Sequence, residues 1–258
     1  MKIISLTENT TKKDNISAEH GLSLYIEANG QKILFDMGQT DSFYKNALTL
    51  GIDLSEIDIA ILSHGHYDHG GGLKQFLEIN KKAPVYINAK AFEPHFNGTE
   101  KYIGLDITLK DSSRFIYVEN EKIIDTYMGI FSCNDRERPD FLGSFGLTKR
   151  IGNELVPDDF THEQYLLIKE NEKRILISGC SHKGILDIVN WFEPDYLVGG
   201  FHISKINNEC ELDRIASALD SHKAHYYTCH CTGQAQYEYL KTRMKYLEYL
   251  SCGEEIII

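Results

Sequence analysis

The segment from Ser63 to Gly72 concentrates side chains that bind metal ions. Four of them fall within six residues, directly after an apolar run: His64, His66, Asp68 and His69. In a tight loop the first two side chains can converge on one point, while the last two turn toward a second point nearby. Two metal positions about 3.5–4 Å apart are the geometry of two-metal hydrolysis. Because imidazole and carboxylate ligands suit zinc, iron, manganese and cobalt, the pattern predicts a binuclear site for one of these metals.

Three further turns place a histidine after an apolar run and among small residues. They are Ser178–Gly184 with Cys180 and His182, Gly199–His202, and Tyr226–Gly233 with His230. Functional groups collect at such strand ends in sheet proteins. Any one of these histidines could equally be a satisfied structural residue, but three of them beside the first cluster favour a shared metal site.

The remaining histidines carry weaker signals. His95, His222 and His225 fall in polar or helix-end contexts, and we expect them to face solvent. His20 and His162 belong to segments whose role the residues alone leave open.

Hydrophobic patterning predicts the elements that must position these residues. Leu22–Glu27 and Lys32–Asp36 alternate around an Asn29-Gly30 turn, which favours a β-hairpin. An apolar run at 57–62 predicts a buried strand that ends at the histidine cluster. From residue 165 onward strands and helices alternate, with strands at 165–169, 174–178, 196–199 and 225–229 and helices at 184–192, 211–221 and 233–247. Residues 90–160 are the least regular stretch. We expect short strands at 114–118 and 122–126 mixed with turns, and loops over the metal site that set specificity.

A strand-rich half followed by alternating strands and helices predicts an α/β protein whose sheets are covered by helices. We expect one domain that spans residues 1–258. The C-terminal Glu254–Ile258 is apolar enough to be an edge strand or a subunit contact, so a homo-oligomer stays open.

Composition argues against several classes of protein. There are 38 acidic residues and 27 lysines and arginines, a formal charge of −11, so a surface that coats nucleic acid is not expected. No run of 18 apolar residues occurs, so we expect no membrane span. The first residues lack the apolar core of a signal peptide, and the six cysteines form no CxxC pair. We therefore expect a cytoplasmic protein with reduced thiols that acts on a small molecule.

The His-x-His-x-Asp-His pattern of residues 64–69, after an apolar strand, resembles the signature of the metallo-β-lactamase superfamily. This resemblance covers nearly the whole chain. It implies a four-layer αββα sandwich of two mixed sheets, with helices outside and a metal site along one edge. Leu34–Gly38 also resembles the LFDTG strand of the superfamily, whose aspartate orients a metal ligand, and this gives that role to Asp36.

A narrower resemblance rests on five motifs in the same order: Glu19–Ser23, Ser63–Leu73, Gly179–His182, Gly199–His202 and His230–Gly233. Together they resemble the subgroup named for 7,8-dihydropterin-6-methyl-4-(β-D-ribofuranosyl)-aminobenzene-5′-phosphate synthase, that is, for a pterin–phosphoribosyl condensation. Many members of that subgroup are described only as metal-dependent hydrolases. The resemblance therefore predicts the fold of this chain better than its reaction.

The chain departs from the superfamily pattern at two positions. Members typically carry a third histidine in a Gly-His turn, and the corresponding stretch here, Pro157–Gln164, lacks that turn. The expected bridging aspartate falls near Cys180. The resemblance therefore implies that His182 supplies the missing ligand and that His230 is the last histidine ligand. Cys180 is then either a metal ligand or a thiol beside one.

These residues imply a hydrolase that uses a metal-bound hydroxide on a small anionic substrate, either phosphorylated or a cyclic ester. Metal binding lowers the pKa of water to about 7. Asp68 would orient the nucleophile and take up its proton, and His202 or His20 would donate to the leaving group. His202, His20 and Lys183 are the candidate substrate contacts, although Lys183 could equally be a solvated lysine at a helix start.

We expect two divalent ions, with zinc favoured and iron or manganese as alternatives. The first alternative function is a transferase of the synthase type, in which the same metals activate a pterin or phosphoribosyl donor. The second is a di-iron redox or binding protein, since flavodiiron proteins share this fold. Those proteins carry a glutamate where His66 stands and an appended flavin domain, for which this chain has no room.

Overall fold

The N-terminal β-hairpin forms where its sequence predicts. In the computed structural model, which describes residues 1–258, strand Ser23–Ala28 pairs antiparallel with strand Gln31–Phe35. Asn29 and Gly30 join the two strands with φ angles of 49° and 75°. Two consecutive left-handed residues give a turn whose twist matches that of paired strands, which is why Asn-Gly is favoured there.

Eighteen strands occur, and nearly all are three to six residues long. In chain order they are β1 (Lys2–Thr7), β2 (Ser23–Ala28), β3 (Gln31–Phe35), β4 (Ile59–Ile61), β5 (Val85–Asn88), β6 (His95–Asn97), β7 (Lys101–Tyr102), β8 (Phe115–Val118), β9 (Glu121–Ile123), β10 (Met128–Phe131), β11 (Leu147–Ile151), β12 (Glu154–Pro157), β13 (Tyr165–Glu170), β14 (Lys173–Ile177), β15 (Tyr196–Gly199), β16 (His225–Thr228), β17 (Leu247–Tyr249) and β18 (Glu255–Ile257). Strands this short leave only a weak periodic signal in the sequence.

Six helices accompany them: α1 (Ser42–Thr49), α2 (Tyr67–Gly70), α3 (Leu73–Ile79), α4 (Ile185–Phe192), α5 (Glu209–Ser221) and α6 (Gln234–Lys241). The side chain of Asn208 caps α5 by accepting the backbone N–H of Cys210 at 3.0 Å. The helix predicted at 233–247 is shorter than expected, because α6 ends at Lys241 and the chain then enters β17. None of the helices has the length and apolarity that a membrane crossing requires.

The strands form two large mixed sheets and one small sheet. The first large sheet has the order β18-β1-β2-β3-β4-β5-β8, and the second has the order β17-β16-β15-β14-β13-β10-β9. Strands β3, β4, β5 and β8 are parallel in the first, and β14 to β17 are parallel in the second. The small antiparallel sheet, β12-β11-β6-β7, lies in the 90–160 stretch, for which the sequence predicted loops.

Three apolar layers hold the sheets and helices together. The layer between the two large sheets includes Phe35 and Ile177. A second layer lies under α1 and α3 and includes Phe43 and Phe76. The third lies under α4, α5 and α6 and includes Ile188. The order helix, sheet, sheet, helix confirms the predicted four-layer αββα arrangement of two mixed sheets.

The C-terminal segment is the edge strand that its composition favours. Strand β18 pairs antiparallel with β1 at the border of the first sheet. Ile257 on this strand is 67% exposed. The pairing accounts for the apolar C-terminus without a partner subunit, and the homo-oligomer stays a prediction.

Candidate metal centre

The predicted ligands lie where parallel strands of the two large sheets end at one edge of the sandwich. In the first sheet, Asp36 follows β3 and His64 lies in the loop after β4. In the second sheet, Cys180, His202 and His230 come shortly after β14, β15 and β16. The carboxyl ends of parallel strands meet at a common border, which is why distant parts of the chain supply one site.

The turns that follow these strands adopt a backbone conformation that is rare for residues with a side chain. Four non-glycine residues there have positive φ, between 47° and 61°: Asp36, Ser181, His202 and His230. Such conformations cost of order 1 kcal/mol or more each and concentrate at functional sites. The strained turns therefore mark the same strand ends that the histidine pattern marks.

Two glycines of the first motif are required by close backbone contacts. A Cβ on Gly65 would lie 2.1 Å from the carbonyl oxygen of Ala91, and one on Gly71 would lie 2.1 Å from that of Gln39. Neither backbone oxygen can move away cheaply, so a side chain at either position would displace the loop. These glycines let the ligand-bearing loop pack against its neighbours.

The first half of the centre, which we call the imidazole triad, consists of His64, His66 and His182. One nitrogen of each ring lies within 4.8 Å of the others, and Nε2 of His64 is 3.3 Å from Nε2 of His182. Nitrogen ligands at 2.0–2.1 Å around a tetrahedral zinc ion are themselves about 3.3 Å apart. Burial and the neighbouring rings hold the pKa of all three histidines well below the usual value, which favours the neutral form that binds metal.

The second half, which we call the mixed group, consists of Asp68, His69, Cys180 and His230. Nε2 of His69 lies 3.2 Å from Nε2 of His230 and 3.2 Å from Sγ of Cys180. Oδ2 of Asp68 lies 3.3 Å from Nε2 of His230 and 3.8 Å from Nε2 of His69. A carboxylate, a thiol and two imidazoles at these distances fit a second divalent ion.

Hydrogen bonds fix which ring nitrogen faces the centre. Oδ2 of Asp36 accepts from Nδ1 of His69 at 2.7 Å, and Oδ1 of Asn9 accepts from Nδ1 of His230 at 2.8 Å. The hydroxyl of Ser63 accepts from Nδ1 of His64 at 2.8 Å and donates to Asp36 at 2.7 Å. In its neutral form, each of these three rings therefore carries its proton on Nδ1 and presents a bare Nε2 to the cleft. This position of Asp36 is the one that the resemblance implied.

The mixed group differs from the triad in charge. Burial opposes ionisation, but Asp36 and Asp68 raise the pKa of His69 to about 9. Burial would likewise raise the pKa of Asp68, yet His69, His20 and His230 hold that pKa well below its usual range. Without a metal ion, the mixed group therefore keeps a protonated imidazole beside a carboxylate.

Two other predicted residues face the same cleft. Nε2 of His20 lies 3.2 Å from Oδ2 of Asp68, and the ring of His202 lies 4.1 Å from that of His182. Both ring nitrogens of His202 are buried and make no hydrogen bond. Sequence reasoning did not single out Cys231, whose Sγ accepts the backbone N–H of His202 at 3.3 Å and lies within 4.8 Å of Sγ of Cys180.

Lys183 does not occupy the position that the sequence suggested. Its side chain is buried, and its ammonium donates to the carbonyl oxygens of Ser132 and Glu163 and to Oδ1 of Asn134. The group points into the protein and does not line the cleft. Both the phosphate contact and the solvated lysine are therefore corrected: Lys183 holds the segments at 132–134 and 163 together.

The expectation that His95 faces solvent is wrong. His95, Asp158 and His162 are all buried, and we call these three residues the buried cluster. Nδ1 of His95 lies 2.8 Å from Oδ2 of Asp158 and Nε2 of His162 lies 3.4 Å from it. The spacing of Asp158 and His162, four residues apart, was the one signal in the sequence, but nothing there linked this pair to a histidine some sixty residues earlier.

The cleft above the centre has a volume of about 360 Å³ and carries two lysines. Lys101 donates to the hydroxyl of Tyr67 at 3.3 Å, and Lys205 donates to the carbonyl oxygen of Phe145 at 2.8 Å. Neither is among the lysines that pair with carboxylates, which are Lys2, Lys12, Lys45, Lys82, Lys149 and Lys173. In a chain with a net charge of −11, two unneutralised ammonium groups beside the centre favour an anion there.

Two relatives in Methanocaldococcus jannaschii match this chain over most of its length. An uncharacterized protein is 33% identical over 239 residues, which cover 88% of this chain and 89% of the relative. A 7,8-dihydropterin-6-methyl-4-(β-D-ribofuranosyl)-aminobenzene-5′-phosphate synthase is 29% identical across 99% of this chain and 96% of its own length. The sequence likeness therefore extends over the whole sandwich.

Solved structures show the same architecture. A metal-dependent hydrolase of the beta-lactamase superfamily superimposes with a TM-score of 0.86 at 28% identity, covering 100% of this chain and 99% of its own. Zinc-bound PqqB from Methylobacterium extorquens superimposes with a TM-score of 0.58 at 11% identity over the full length of both chains, which shows the fold alone. The family model for the metallo-beta-lactamase superfamily matches residues 17–215. Since that match covers most of the chain, the chain belongs to the metallo-beta-lactamase superfamily.

Proposed function

We propose that this protein is a hydrolase that depends on two divalent metal ions and acts on a small anionic substrate, either phosphorylated or a cyclic ester. One observation carries the proposal: three strand-end turns bring seven donor side chains into two adjoining groups beneath one cleft. When bound, the ions activate water at neutral pH and neutralise charge that develops on the substrate.

The donor types support zinc as the metal. The imidazole triad offers neutral nitrogen ligands, and the mixed group adds a carboxylate and a thiol. Imidazole and thiolate together favour zinc, with iron or manganese as alternatives for the remaining ligands. The two positions adjoin, since the rings of His64 and His69 are 4.1 Å apart.

Asp68 and His202 are the residues to which we assign proton transfer. The carboxylate of Asp68 lines the cleft and is held ionised by His69, His20 and His230, so it can orient the attacking water and accept its proton. The ring of His202 also lines the cleft and has two free nitrogens, so it can donate to a leaving group. His20, whose side chain is 59% exposed, is the alternative donor.

The rim of the cleft supports an anionic substrate. Lys101 and Lys205 place positive charge where a phosphate or carboxylate of the substrate would lie, and Asn97 and Ser204 add hydrogen-bonding side chains. These two lysines take the role that the sequence suggested for Lys183. Because both are exposed, we expect them to select substrates rather than to drive the chemistry.

A second candidate function is a transferase of the synthase type. The observation in its favour is the likeness to the synthase of Methanocaldococcus jannaschii across 99% of this chain. The same two metal positions would then serve a pterin or phosphoribosyl donor, whose phosphate the cleft lysines would bind. The two candidates differ in whether water or a second organic substrate attacks.

The test measures metal content and hydrolysis on the same preparation. Purified protein is analysed by inductively coupled plasma mass spectrometry, and hydrolysis of bis(p-nitrophenyl) phosphate is assayed before chelation, after chelation and after zinc is restored. We expect two ions per chain and activity that follows the metal. His222→Ala, in a half-buried helix-end histidine outside the cleft, is the matched control and should change neither quantity.

Two other outcomes separate the candidates. Two ions without hydrolysis of this diester, of an ester or of a lactone would move the assignment to the transferase. A preparation that binds no divalent ion under any loading condition would overturn both candidates, since both depend on the same ligands.

A further inference from the structure

The candidate ligands differ in what holds their second ring nitrogen. His64, His69 and His230 each give Nδ1 to a neighbouring oxygen at 2.7–2.8 Å. His66 and His182 do not: Nε2 of His66 and Nδ1 of His182 are buried without a hydrogen bond. The ring of His182 stacks on Phe160 at 4.4 Å, whereas the ring of His66 faces the buried cluster of His95, Asp158 and His162.

The carboxylate of Asp158 organises that cluster. Oδ2 accepts from Nδ1 of His95 at 2.8 Å and faces Nε2 of His162 at 3.4 Å, while Oδ1 accepts the backbone N–H of Phe160 at 2.8 Å. Burial would raise the pKa of Asp158, but the two imidazoles hold it far below its usual range. Asp158 is therefore an ionised group that can only accept hydrogen bonds.

These contacts determine where each imidazole carries its proton. Because Asp158 accepts from Nδ1 of His95, the proton lies on Nδ1 and Nε2 of His95 is a bare acceptor. Gly65 donates its backbone N–H to Nδ1 of His162 at 2.9 Å, so the proton of His162 lies on Nε2, toward Asp158. Nε2 of His95 is buried and has no partner, which leaves one unused acceptor in the cluster.

His66 can supply a donor for this acceptor. It lines the cleft while its Nε2 is buried, so we take Nδ1 as the nitrogen that faces the cleft. An imidazole that binds a metal ion through Nδ1 keeps its proton on Nε2. The rings of His66 and His95 are 5.5 Å apart at 77°, and one nitrogen of each lies within 4.8 Å of the other.

We infer that His95 and Asp158 are positioning residues for His66: Asp158 fixes the proton of His95 on Nδ1, which leaves Nε2 of His95 to accept from Nε2 of His66 when Nδ1 of His66 binds the metal. This inference rests on the proposed function, because it assumes that the imidazole triad holds an ion. The cluster is not a third metal position, since the lone pair of His162 already accepts from Gly65 and Asp158 already accepts from His95.

The test compares metal affinity at the two positions. His95→Phe removes the acceptor but keeps a ring, and Asp158→Asn lets the proton of His95 move to Nε2, where it opposes the proton of His66. We expect either change to lower the affinity of the triad for its ion by about 10–100-fold. This is the usual effect of losing a group that holds a metal ligand in place. Asn9→Leu, the matched comparator, removes the acceptor of Nδ1 of His230 and should lower the affinity of the mixed group for its ion.

The readouts are competition with a chelator, metal stoichiometry and the visible spectrum of the cobalt(II)-loaded protein. We expect His95→Phe to alter the cobalt bands of one position only, and His95→Gln, which keeps an acceptor oxygen, to restore part of the affinity. His95→Gln and Asp158→Glu carry the test if the harsher variants fail to fold, which circular dichroism of the metal-free proteins reports.

Three outcomes would overturn the inference. Folded variants that bind both ions as tightly as the wild type would show that His66 needs no such support, while leaving the proposed function intact. Three ions per chain, with one lost in Asp158→Asn, would make the buried cluster a metal site of its own. A wild-type protein that binds no ion would overturn the proposed function together with this inference.

Discussion

The imidazole triad and the mixed group lie side by side, yet they are built in different ways. The mixed group contains a carboxylate and a thiol, and Asp36 and Asn9 at the edge of the sandwich hold its rings. The triad contains only imidazoles, and the small sheet and the loop after β12 place His95 and Asp158 behind it. The mixed group is therefore charged, whereas the triad is neutral: Ser63 and Asp36 support His64, and the buried cluster lies behind His66.

For the proposed two-ion centre, this difference predicts unequal metal positions. In the mixed group an ion must displace a proton from His69, whose pKa is raised to about 9. In the triad the pKa of every histidine lies well below its usual value, so no proton has to leave at neutral pH. The two halves should therefore differ in their affinity for metal ions, in the pH dependence of that affinity and in its sensitivity to mutation.

The largest effect is expected at His66, which belongs to the triad and also has a ring nitrogen within 4.8 Å of the buried cluster. His66→Ala should remove the ion of the triad and reduce diester hydrolysis to background, because a two-ion centre would lose one partner. Metal content and initial rates measured on one sample check this. Loss of both ions together would contradict the separation into halves, and unchanged metal content would remove His66 from the ligand set.

A second prediction concerns His202, which lies against the triad at 4.1 Å from His182. His202→Ala should keep both ions and lower kcat by about 10²–10⁴-fold, the usual contribution of a general acid. Metal analysis and steady-state kinetics measure the metal content and kcat of the variant. If the variant instead loses an ion, His202 is a metal ligand together with Cys180 and Cys231, and the assignment of ligands to the two halves must change.

A third prediction uses the raised pKa of His69. Below pH 9 the affinity of the mixed group should fall at least about tenfold for each pH unit, since metal binding releases at least one proton there. The affinity of the triad should stay nearly flat over the same range. Chelator competition from pH 6 to 9 measures both.

Cys180→Ser serves as the control for this pH dependence. Burial raises the pKa of the Cys180 thiol, so a bound thiolate would release a second proton and steepen the slope. The serine variant should then show the shallower slope that His69 alone gives. Equal slopes at the two positions would mean that the difference in charge between the two groups does not affect their affinity for metal ions.

The sequence predicted the mixed group better than the support of the triad, for a physical reason. Every ligand candidate follows a run of apolar residues that the sequence itself shows, such as residues 59–62 before His64 and β14 before Cys180 and His182. His95 and Asp158 sit on or beside strands of three and four residues, whose alternation is too brief to show. Their partnership is a tertiary contact between segments 63 residues apart.

Lys183 illustrates a different limit. A lysine after a strand and before a helix carries no local sign of whether it turns to the cleft or to the core. Glu163 contributes a carbonyl oxygen and Ser132 another, and both lie in loops, the first before β13 and the second after β10, that no local pattern links to residue 183. Alternating patterns predicted sheets covered by helices, and the family resemblance implied the αββα order, whereas the direction of a single long side chain depends on packing.

The smallest effect is expected at the cleft lysines. Substituting them tests whether the small sheet only supports the triad or also contributes to substrate selection. Lys101 lies on β7 of that sheet, and Lys205 faces it from beyond β15. Lys101→Met and Lys205→Met should each raise KM for p-nitrophenyl phosphate by roughly fivefold at most, because an exposed ionic contact is worth about 1 kcal/mol or less. A neutral probe, p-nitrophenyl acetate, should show no change, and Lys110→Met, an exposed lysine outside the cleft, should affect neither. A fall in kcat with unchanged KM would instead indicate that the lysine contacts the leaving group. The small sheet would then take part in the reaction, in addition to supporting the triad through its buried residues.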